Sequence, residues 1–309
     1  MLLLTWKNKA ELLKIKHKEL RTQYFWNERR FVGVLFFWKN NPSQVYVNLK
    51  RKYANEIWLD FLVFWQWKIE YDNDYFDLSH FQNKEYIYKE QVIELIEKLN
   101  NDDRCVWIIC QLPLTEELTG FQKEICNYIS PIKDIDWLWD KIQEWAFWWK
   151  IQFLPATAQA VISLWEAYNL WDFNWKIISV IWQSDIVWSP ISRYLELQWA
   201  EVHRFDIQNT TEEIVNQTRE SDIIISCTWD LHLIDENFIN KSNNQIIIDV
   251  WYWFLNWKST WDVNFDKVKN KVYAISTVPG WVGPMTVACL FWNIFIIRDQ
   301  INKIENYYK

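Results

Sequence analysis

The sequence predicts an α/β fold in two parts: a Rossmann-type, doubly wound parallel-sheet domain and a second α/β domain closed by the C-terminal helix. Three observations carry this. From Lys176 onward five short apolar runs recur, most of them separated by helical or loop segments, as strands buried on both faces of a parallel sheet do. In the first half, apolar β-rich runs alternate with helical segments, which again indicates an α/β layer. Between Pro279 and Pro284, two prolines and two of the chain's four glycines fall within six residues. So dense a set of chain breakers makes a rigid corner of the kind that lines a ligand site.

Taken in order, residues 1–28 read as a helix through Leu12, Leu13, Ile15 and Leu20, and Arg29–Phe37 and Glu56–Phe64 as strands. Helix Lys89–Leu99 carries Val92, Ile93, Leu95, Ile96 and Leu99 on one side and leads into strand Cys105–Leu112. A loop spans Pro131–Asp136, and a helix starts after Thr157 and runs through Val161, Ile162, Leu164 and Ala167. The five later strands are Lys176–Ile181, Glu201–Phe205, Asp222–Cys227, Gln245–Val250 and Lys271–Ser276. The last helix follows Pro284 and ends in charged residues. These elements place residues 1–156 and 285–309 in one domain, with 157–284 inserted as a dinucleotide-type domain.

Composition narrows the function classes. A net charge of −7 with no long basic run argues against a nucleic-acid partner. No apolar run reaches the ~18 residues that cross a bilayer, so no membrane partner is expected. The opening Met1–Thr5 is too short for a signal peptide, and the expected location is cytoplasmic. Cysteines 105, 110, 126, 227 and 289 lie mostly in apolar runs and read as buried free thiols. His17, His80, His203 and His232 form no metal-ligand spacing, so no metal site is expected.

One feature is anomalous: 25 tryptophans against 4 glycines. A chain of this length ordinarily carries roughly 22 glycines, close to what the two types make together. Trp175 lies between Asn174 and Lys176, Trp229 between Thr228 and Asp230, and Trp257 between Asn256 and Lys258. Indoles have no reason to gather in polar turns, whereas glycine does, because it reaches φ > 0 without a Cβ clash. The sequence therefore suggests that most of these tryptophans are glycine codons, since UGA specifies Trp in some genetic codes and Gly in others. A genuinely Trp-rich protein is the alternative, and it would force large side chains into tight turns.

Strand Lys176–Ile181 ends in Trp182-Gln183-Ser184-Asp185-Ile186-Val187-Trp188, and Ser189-Pro190 suits a helix start. With glycine at 182 and 188 this is a strand, a turn and a helix N-terminus, where a pyrophosphate sits; alone, it fits a structural turn equally well. Asp206 closes the second strand of this half, where an acidic residue binds a ribose diol, or else is a solvated strand end. Tyr46 and Lys50 stand at i and i+4, with Ser43 at the helix start, an arrangement that in isolation is most often a surface pair.

The end segment Val278-Pro-Gly-Trp-Val-Gly-Pro-Met-Thr286 resembles the Val-Pro-Gly-Gly-Val-Gly-Pro-Met-Thr signature of the methylenetetrahydrofolate dehydrogenase/cyclohydrolase family, with Trp281 at the one differing position. Residues 182–190 resemble its Gly-Arg-Ser-x-x-Val-Gly-x-Pro, with Gln183 for Arg. Ser43-Gln-Val-Tyr46-Val-Asn-Leu-Lys50 resembles Ser-x-x-Tyr-Val-x-x-Lys, and Gln111-Leu112-Pro113-Leu114-Thr115 resembles Gln-Leu-Pro-Leu-Pro. Pro131-Ile-Lys-Asp-Ile-Asp136-Trp137 resembles Pro-x-Lys-Asp-Val-Asp-Gly, Asp249-Val-Trp251-Tyr252 resembles Asp-Val-Gly-Ile, and Trp261-Asp262-Val263 resembles Gly-Asp-Val. Pro155 and Thr157 keep part of a Pro-Cys-Thr-Pro segment.

The resemblance implies a cytosolic homodimer that oxidises 5,10-methylenetetrahydrofolate with NAD or NADP and hydrolyses the methenyl product to 10-formyltetrahydrofolate. It implies catalytic roles for Lys50, Tyr46, Gln111 and Asp136, and folate contacts at Ser43, Leu112, Pro113, Pro279, Gly280, Trp281, Gly283 and Pro284. Cofactor contacts fall on Trp182, Gln183, Ser184, Val187, Trp188, Asp206, Ile207, Tyr252 and Thr286. The family's 2′-phosphate partners are an Arg and a Ser, and this chain has Gln183 and Phe205-Asp206-Ile207 there, so NAD is expected over NADP. The alternatives are a dehydrogenase without the cyclohydrolase step and a catalytically silent dinucleotide-binding homologue. A peptide mass spectrum of the natively expressed protein across Ile275–Arg298 is expected to show glycine at 281 and 292; tryptophan at both would refute the recoding.

Overall fold

The computed structural model describes all residues except 6, 38–40, 73, 82–84, 137–153, 171, 182–187, 229, 251, 256–257, 277–283, 294 and 297–309. The chain divides into two compact units, Met1–Ala10 with Thr157–Thr286, and Glu11–Ala156 with Val287–Lys309.

The chain opens with strand β1, Leu2–Leu4, and helix α1, Lys7–Phe25. Residues 1–28 were expected as one helix; the first residues instead pair with a strand near the far end of the sequence. That pairing draws residues 1–10 into the inserted unit rather than the domain to which the sequence reading assigned them. No local periodicity signals a three-residue edge strand, because its partner lies some 270 residues away.

The unit containing Glu11–Ala156 holds a four-stranded sheet. Its strands are β2 (Phe31–Leu35), β3 (Asp60–Phe64), β4 (Ile69–Glu70) and β5 (Cys105–Cys110), in the order β4-β3-β2-β5. The β2–β3 and β2–β5 pairs are parallel, and only β4 runs antiparallel. Every residue of β2, β3 and β5 is buried, which is why these strands read as continuous apolar runs rather than alternating ones. Helix α2, Asn41–Glu56, crosses from β2 to β3, and helix α3, Lys89–Asn101, precedes β5. α3 buries Val92, Leu95, Ile96 and Leu99. Its approach is close: a Cβ at Gly33 of β2 would stand 3.2 Å from Leu99 Cδ2, so glycine fits there because the helix presses on the strand.

From Val287 onward the helix over residues 284–293 belongs to this unit. His17 of α1 is wholly buried, its Nδ1 lies 2.8 Å from the Tyr53 hydroxyl, and its ring stacks on Trp292. Burial pushes the imidazole down to about 3, so it stays neutral.

The other unit carries a six-stranded, wholly parallel sheet. Besides β1 it contains β6 (Ile177–Ile181), β7 (Glu201–Phe205), β8 (Ile223–Ser226) and β9 (Ile246–Asp249), followed by the hairpin β10 (Tyr252–Leu255) with β11 (Lys258–Trp261), and β12 (Ala274–Ser276). The sheet order is β1-β12-β9-β8-β6-β7. The strand order therefore reverses between β6 and β8, the arrangement of a doubly wound nucleotide fold. The β10–β11 hairpin is antiparallel and separate, and the sequence reading did not anticipate it.

All five cysteines are buried and free. Six of the described tryptophans show two contrasting situations. Trp107 and Trp165 are fully buried, packing edge-on against Phe25 and Phe173. Trp26, Trp58, Trp175 and Trp199 all have positive φ, between 48° and 66°, and are 59–80% exposed. Two of these end helices in the same way. Trp58 N–H bonds Asn55 O while Leu59 N–H bonds Ala54 O, and Trp199 N–H bonds Glu196 O while Ala200 N–H bonds Leu195 O. These are Schellman motifs with Trp at the left-handed C′ position that glycine ordinarily takes. A third, after Ala167, has Asn169 there, the usual alternative to glycine. Trp175 is the third residue of a turn closed by Lys176 N–H to Phe173 O, again a position that wants φ > 0.

A left-handed residue with a Cβ costs about 1–2 kcal/mol. Trp58→Gly and Trp199→Gly are thus each expected to raise the melting temperature by about 2–4 °C, the shift of ~1 kcal/mol in a domain of this size. Calorimetry showing a fall at both would mean that these indoles contribute packing.

Candidate active site

Helix α2 and the end of β5 build the site between them. The first turn of α2 carries Ser43, buried; one turn further is Tyr46, half-buried, and another turn on is Lys50, on the same face. β5 is held beside β2 in register Leu35↔Cys110, and the ladder continues one residue, with Gln111 N–H bonding Leu35 O at 3.0 Å. The Gln111 side chain is thereby delivered at the strand end. Lys50 Nζ donates to Gln111 Oε1 at 3.1 Å, and Gln111 Nε2 donates to Leu112 O at 3.0 Å. Ser43 Oγ donates to the same carbonyl at 3.5 Å. The Leu112–Pro113 peptide is cis, and Pro113 is exposed.

Asp136 completes the group. Burial pushes its carboxyl above the usual carboxylate range, and the Lys50 charge pulls in the opposite direction. Its loop is positioned by contacts on which the sequence reading placed no weight. Asp134 is buried, bridges to Ile108 of β5, and accepts the Asp136 N–H at 3.1 Å. Asn293 Nδ2, from the closing helix, donates to Ile135 O at 3.3 Å. An amide in an otherwise apolar helix was the available signal for Asn293.

The structure therefore gathers Ser43, Lys50, Gln111, Leu112 and Asp136, residues far apart in sequence. Lys50 and Gln111 can hold a proton-transfer group in a fixed position, and Asp136 can accept hydrogen bonds from a heterocyclic N–H or amino group. Pro279, Gly280, Trp281 and Gly283 lie outside the described residues; Pro284 is exposed at the first turn of the closing helix.

In the parallel-sheet unit, Trp182, Gln183, Ser184 and Val187 lie outside the described residues. Helix Trp188–Leu197 starts directly after them, as a pyrophosphate-binding turn requires. β7 pairs with β6 as Ile181↔Phe205, so Asp206 sits on the C-terminal rim, one residue beyond that pair. Asp206 Oδ1 accepts Gln208 N–H at 2.8 Å, which shapes the rim, and Ile207 is 78% exposed. Tyr252 begins β10. Thr286 Oγ1 is buried without a hydrogen-bond partner among the described residues. The rim at the strand-order reversal, the helix start and the acidic strand end together fit a dinucleotide.

Comparison with known proteins agrees with both units. The catalytic-domain profile of tetrahydrofolate dehydrogenase/cyclohydrolase matches residues 7–136, and the corresponding NAD(P)-binding-domain profile matches residues 155–301. The bifunctional protein FolD of Mesoplasma florum is 34% identical over 268 residues, covering 85% of each chain. That of a Sulfurihydrogenibium species is 30% identical over 303 residues, covering 97% of this chain and 98% of its own. The crystal structure of the bifunctional FolD methylenetetrahydrofolate dehydrogenase/cyclohydrolase from Campylobacter jejuni superposes with a TM-score of 0.81 at 27% identity, covering 97% of this chain and 99% of that one. With profiles matching both units and relatives spanning nearly its whole length, the chain belongs to the tetrahydrofolate dehydrogenase/cyclohydrolase family.

Proposed function

We propose that this protein oxidises 5,10-methylenetetrahydrofolate to the 5,10-methenyl form with a nicotinamide cofactor and then hydrolyses it to 10-formyltetrahydrofolate. The observation that carries the reading is Lys50 Nζ held on Gln111 Oε1 beside the half-buried Asp136 carboxyl. In the hydrolytic step water adds to the methenyl carbon, its oxygen gives up both protons, and the carbon–N5 bond breaks as one proton passes to N5. Lys50, fixed by Gln111, is placed to move that proton. Tyr46 lies one turn away on the same helix face and lines the approach. Asp136 takes the pterin N–H and amino group, and Ser43, Leu112 and Pro113 shape the folate pocket.

The nicotinamide cofactor, when bound, accepts the hydride. The N-terminus of helix Trp188–Leu197 would hold its pyrophosphate, and Asp206 its adenosine ribose. A carboxylate at Asp206 and an exposed Ile207 disfavour a 2′-phosphate, and Gln183 supplies no positive charge to offset this, so NAD is the preferred cofactor. A homodimer in the cytosol completes the proposal, in keeping with described helices none of which is long and apolar enough to cross a membrane.

Three outcomes are expected. Lys50→Met should lower cyclohydrolase turnover by about 10²–10⁴-fold, the range for a lost general acid–base group, without shifting the melting temperature. Full cyclohydrolase activity in that variant removes Lys50 from the mechanism. The Asp136 carboxyl titrates above its ordinary range, so it loses its acceptor charge as pH falls through that raised value. Folate KM should therefore rise on the acid side in wild-type protein and be insensitive to pH there in Asp136→Asn; identical profiles would refute the role. Finally, kcat/KM should be higher with NAD than with NADP, and Asp206→Ser should narrow the gap; a wild-type preference for NADP would reverse the assignment.

A further inference from the structure

A wholly buried carboxylate, Asp262, lies in the parallel-sheet unit and takes no part in the chemistry above. It directly follows β11. Its Oδ2 accepts the main-chain N–H of Thr228 and, at 3.3 Å, the Ser226 hydroxyl. Its carbonyl accepts Ile234 N–H at 3.1 Å. The N–H of the next residue, Val263, goes to Asp249 Oδ2 at 2.8 Å. Asp249 ends β9 directly opposite Ser226 in the ladder, and the Ser276 hydroxyl of β12 bonds its N–H at 2.9 Å and its carbonyl at 3.1 Å. Two buried carboxylates thus tie the ends of β8 and β9, and the chain just beyond β8, to one point of the backbone at residues 262–263.

The place of this knot gives it meaning. The strand order reverses between β6 and β8, and ligands of open α/β sheets lie outside the carboxyl ends of the strands at that reversal. If the pyrophosphate lies at the helix after β6 and the adenosine ribose at Asp206 after β7, the other half of the dinucleotide extends over the end of β8. Thr228, two residues beyond β8 and itself buried, forms that rim; its Oγ1 accepts Asp230 N–H at 3.2 Å.

We propose that Asp262 is a positioning residue for the nicotinamide half of the cofactor, holding the Cys227–Thr228 main chain in the shape that receives it. This rests on the dehydrogenase reading above. Ionised and buried, the carboxylate is a costly tether: burial pushes it up to about 6, Asp230 on the chain beyond β8 adds negative charge, and Asp249 faces the adjacent Val263 N–H. Its folded-state value lies above the ordinary one, so protonation favours the fold and ionisation above pH about 6 works against it. Replacing the charge should therefore loosen the rim without destabilising the fold.

The test is Asp262→Asn, assayed three ways. NADH affinity, read by its fluorescence, and cofactor KM in hydride transfer are expected to weaken about tenfold, as for a lost charge-assisted hydrogen bond. Cyclohydrolase turnover, with methenyl substrate supplied directly, and the melting temperature at pH 7.5 are expected to hold. Wild-type affinity should also weaken below pH about 6, where Asp262 takes up its proton, while the variant shows no such dependence. Unchanged NADH affinity, or cyclohydrolase activity and melting temperature falling in parallel with it, overturns the proposal. Should Asp262→Asn fail to fold, Ser226→Ala removes one donor and keeps the carboxylate; a severalfold loss of NADH affinity is expected, and none refutes the role. Wild-type protein that binds NADH but transfers no hydride would defeat the dehydrogenase reading, while the affinity comparison would still decide the role of Asp262.

Discussion

The candidate site depends on the register of one parallel strand pair. β2 and β5 align Leu35 with Cys110, and the Gln111 N–H continues the ladder onto Leu35 O. Successive side chains of a strand point to opposite faces, so a slip of one residue would turn Gln111 away from α2 and leave Lys50 without its partner. The register is in turn secured by burial. Every residue of β2 and β5 is buried, and α3 lies so close to Gly33 that a Cβ there would stand 3.2 Å from Leu99 Cδ2. The position of the Gln111 amide that holds Lys50 is thus set by strand packing in a sheet to which Lys50 itself does not belong.

The same economy operates in the parallel-sheet unit, with charge in place of packing. Its strands end in Ser226, Asp249 and Ser276, all buried, and the polar groups answer one another across strand ends and into residues 262–263. Buried polar groups persist where they are hydrogen-bonded, and such networks define one geometry where an apolar core would tolerate several. A strand-end rim built in this way is rigid without regular secondary structure, which is what a surface receiving a flexible dinucleotide needs.

The tryptophans add a constraint of another kind. At Trp26, Trp58, Trp175 and Trp199 the backbone is left-handed because helix ends and a turn demand it, not because an indole prefers it. Each indole is turned out to solvent, where it contributes little, whereas Trp107 and Trp165 lie within cores. Backbone demand and side-chain identity disagree at these four sites and agree at Trp107 and Trp165. That division is what glycine codons read as tryptophan predict for the exposed group, and it is independent of any resemblance to relatives.

Much of the molecule was legible in the sequence because its signals are local. Continuous apolar runs marked the buried parallel strands, helical spacing marked α3, and the spacing of Ser43, Tyr46 and Lys50 put them on one helix face. The overall α/β class followed from the order of those elements, and the resemblance of short motifs to one family supplied the chemistry. Tertiary structure alone decided that Leu2–Leu4 is a sheet edge, that Tyr252–Leu255 pairs in a hairpin, that Asp134 and Asn293 hold the Asp136 loop, and that Asp262 grips Thr228. The physical reason is common to all four. Each depends on a partner whose position is unknown until the chain has folded, and a hydrogen bond or a ladder between distant residues leaves no periodicity in either segment that makes it.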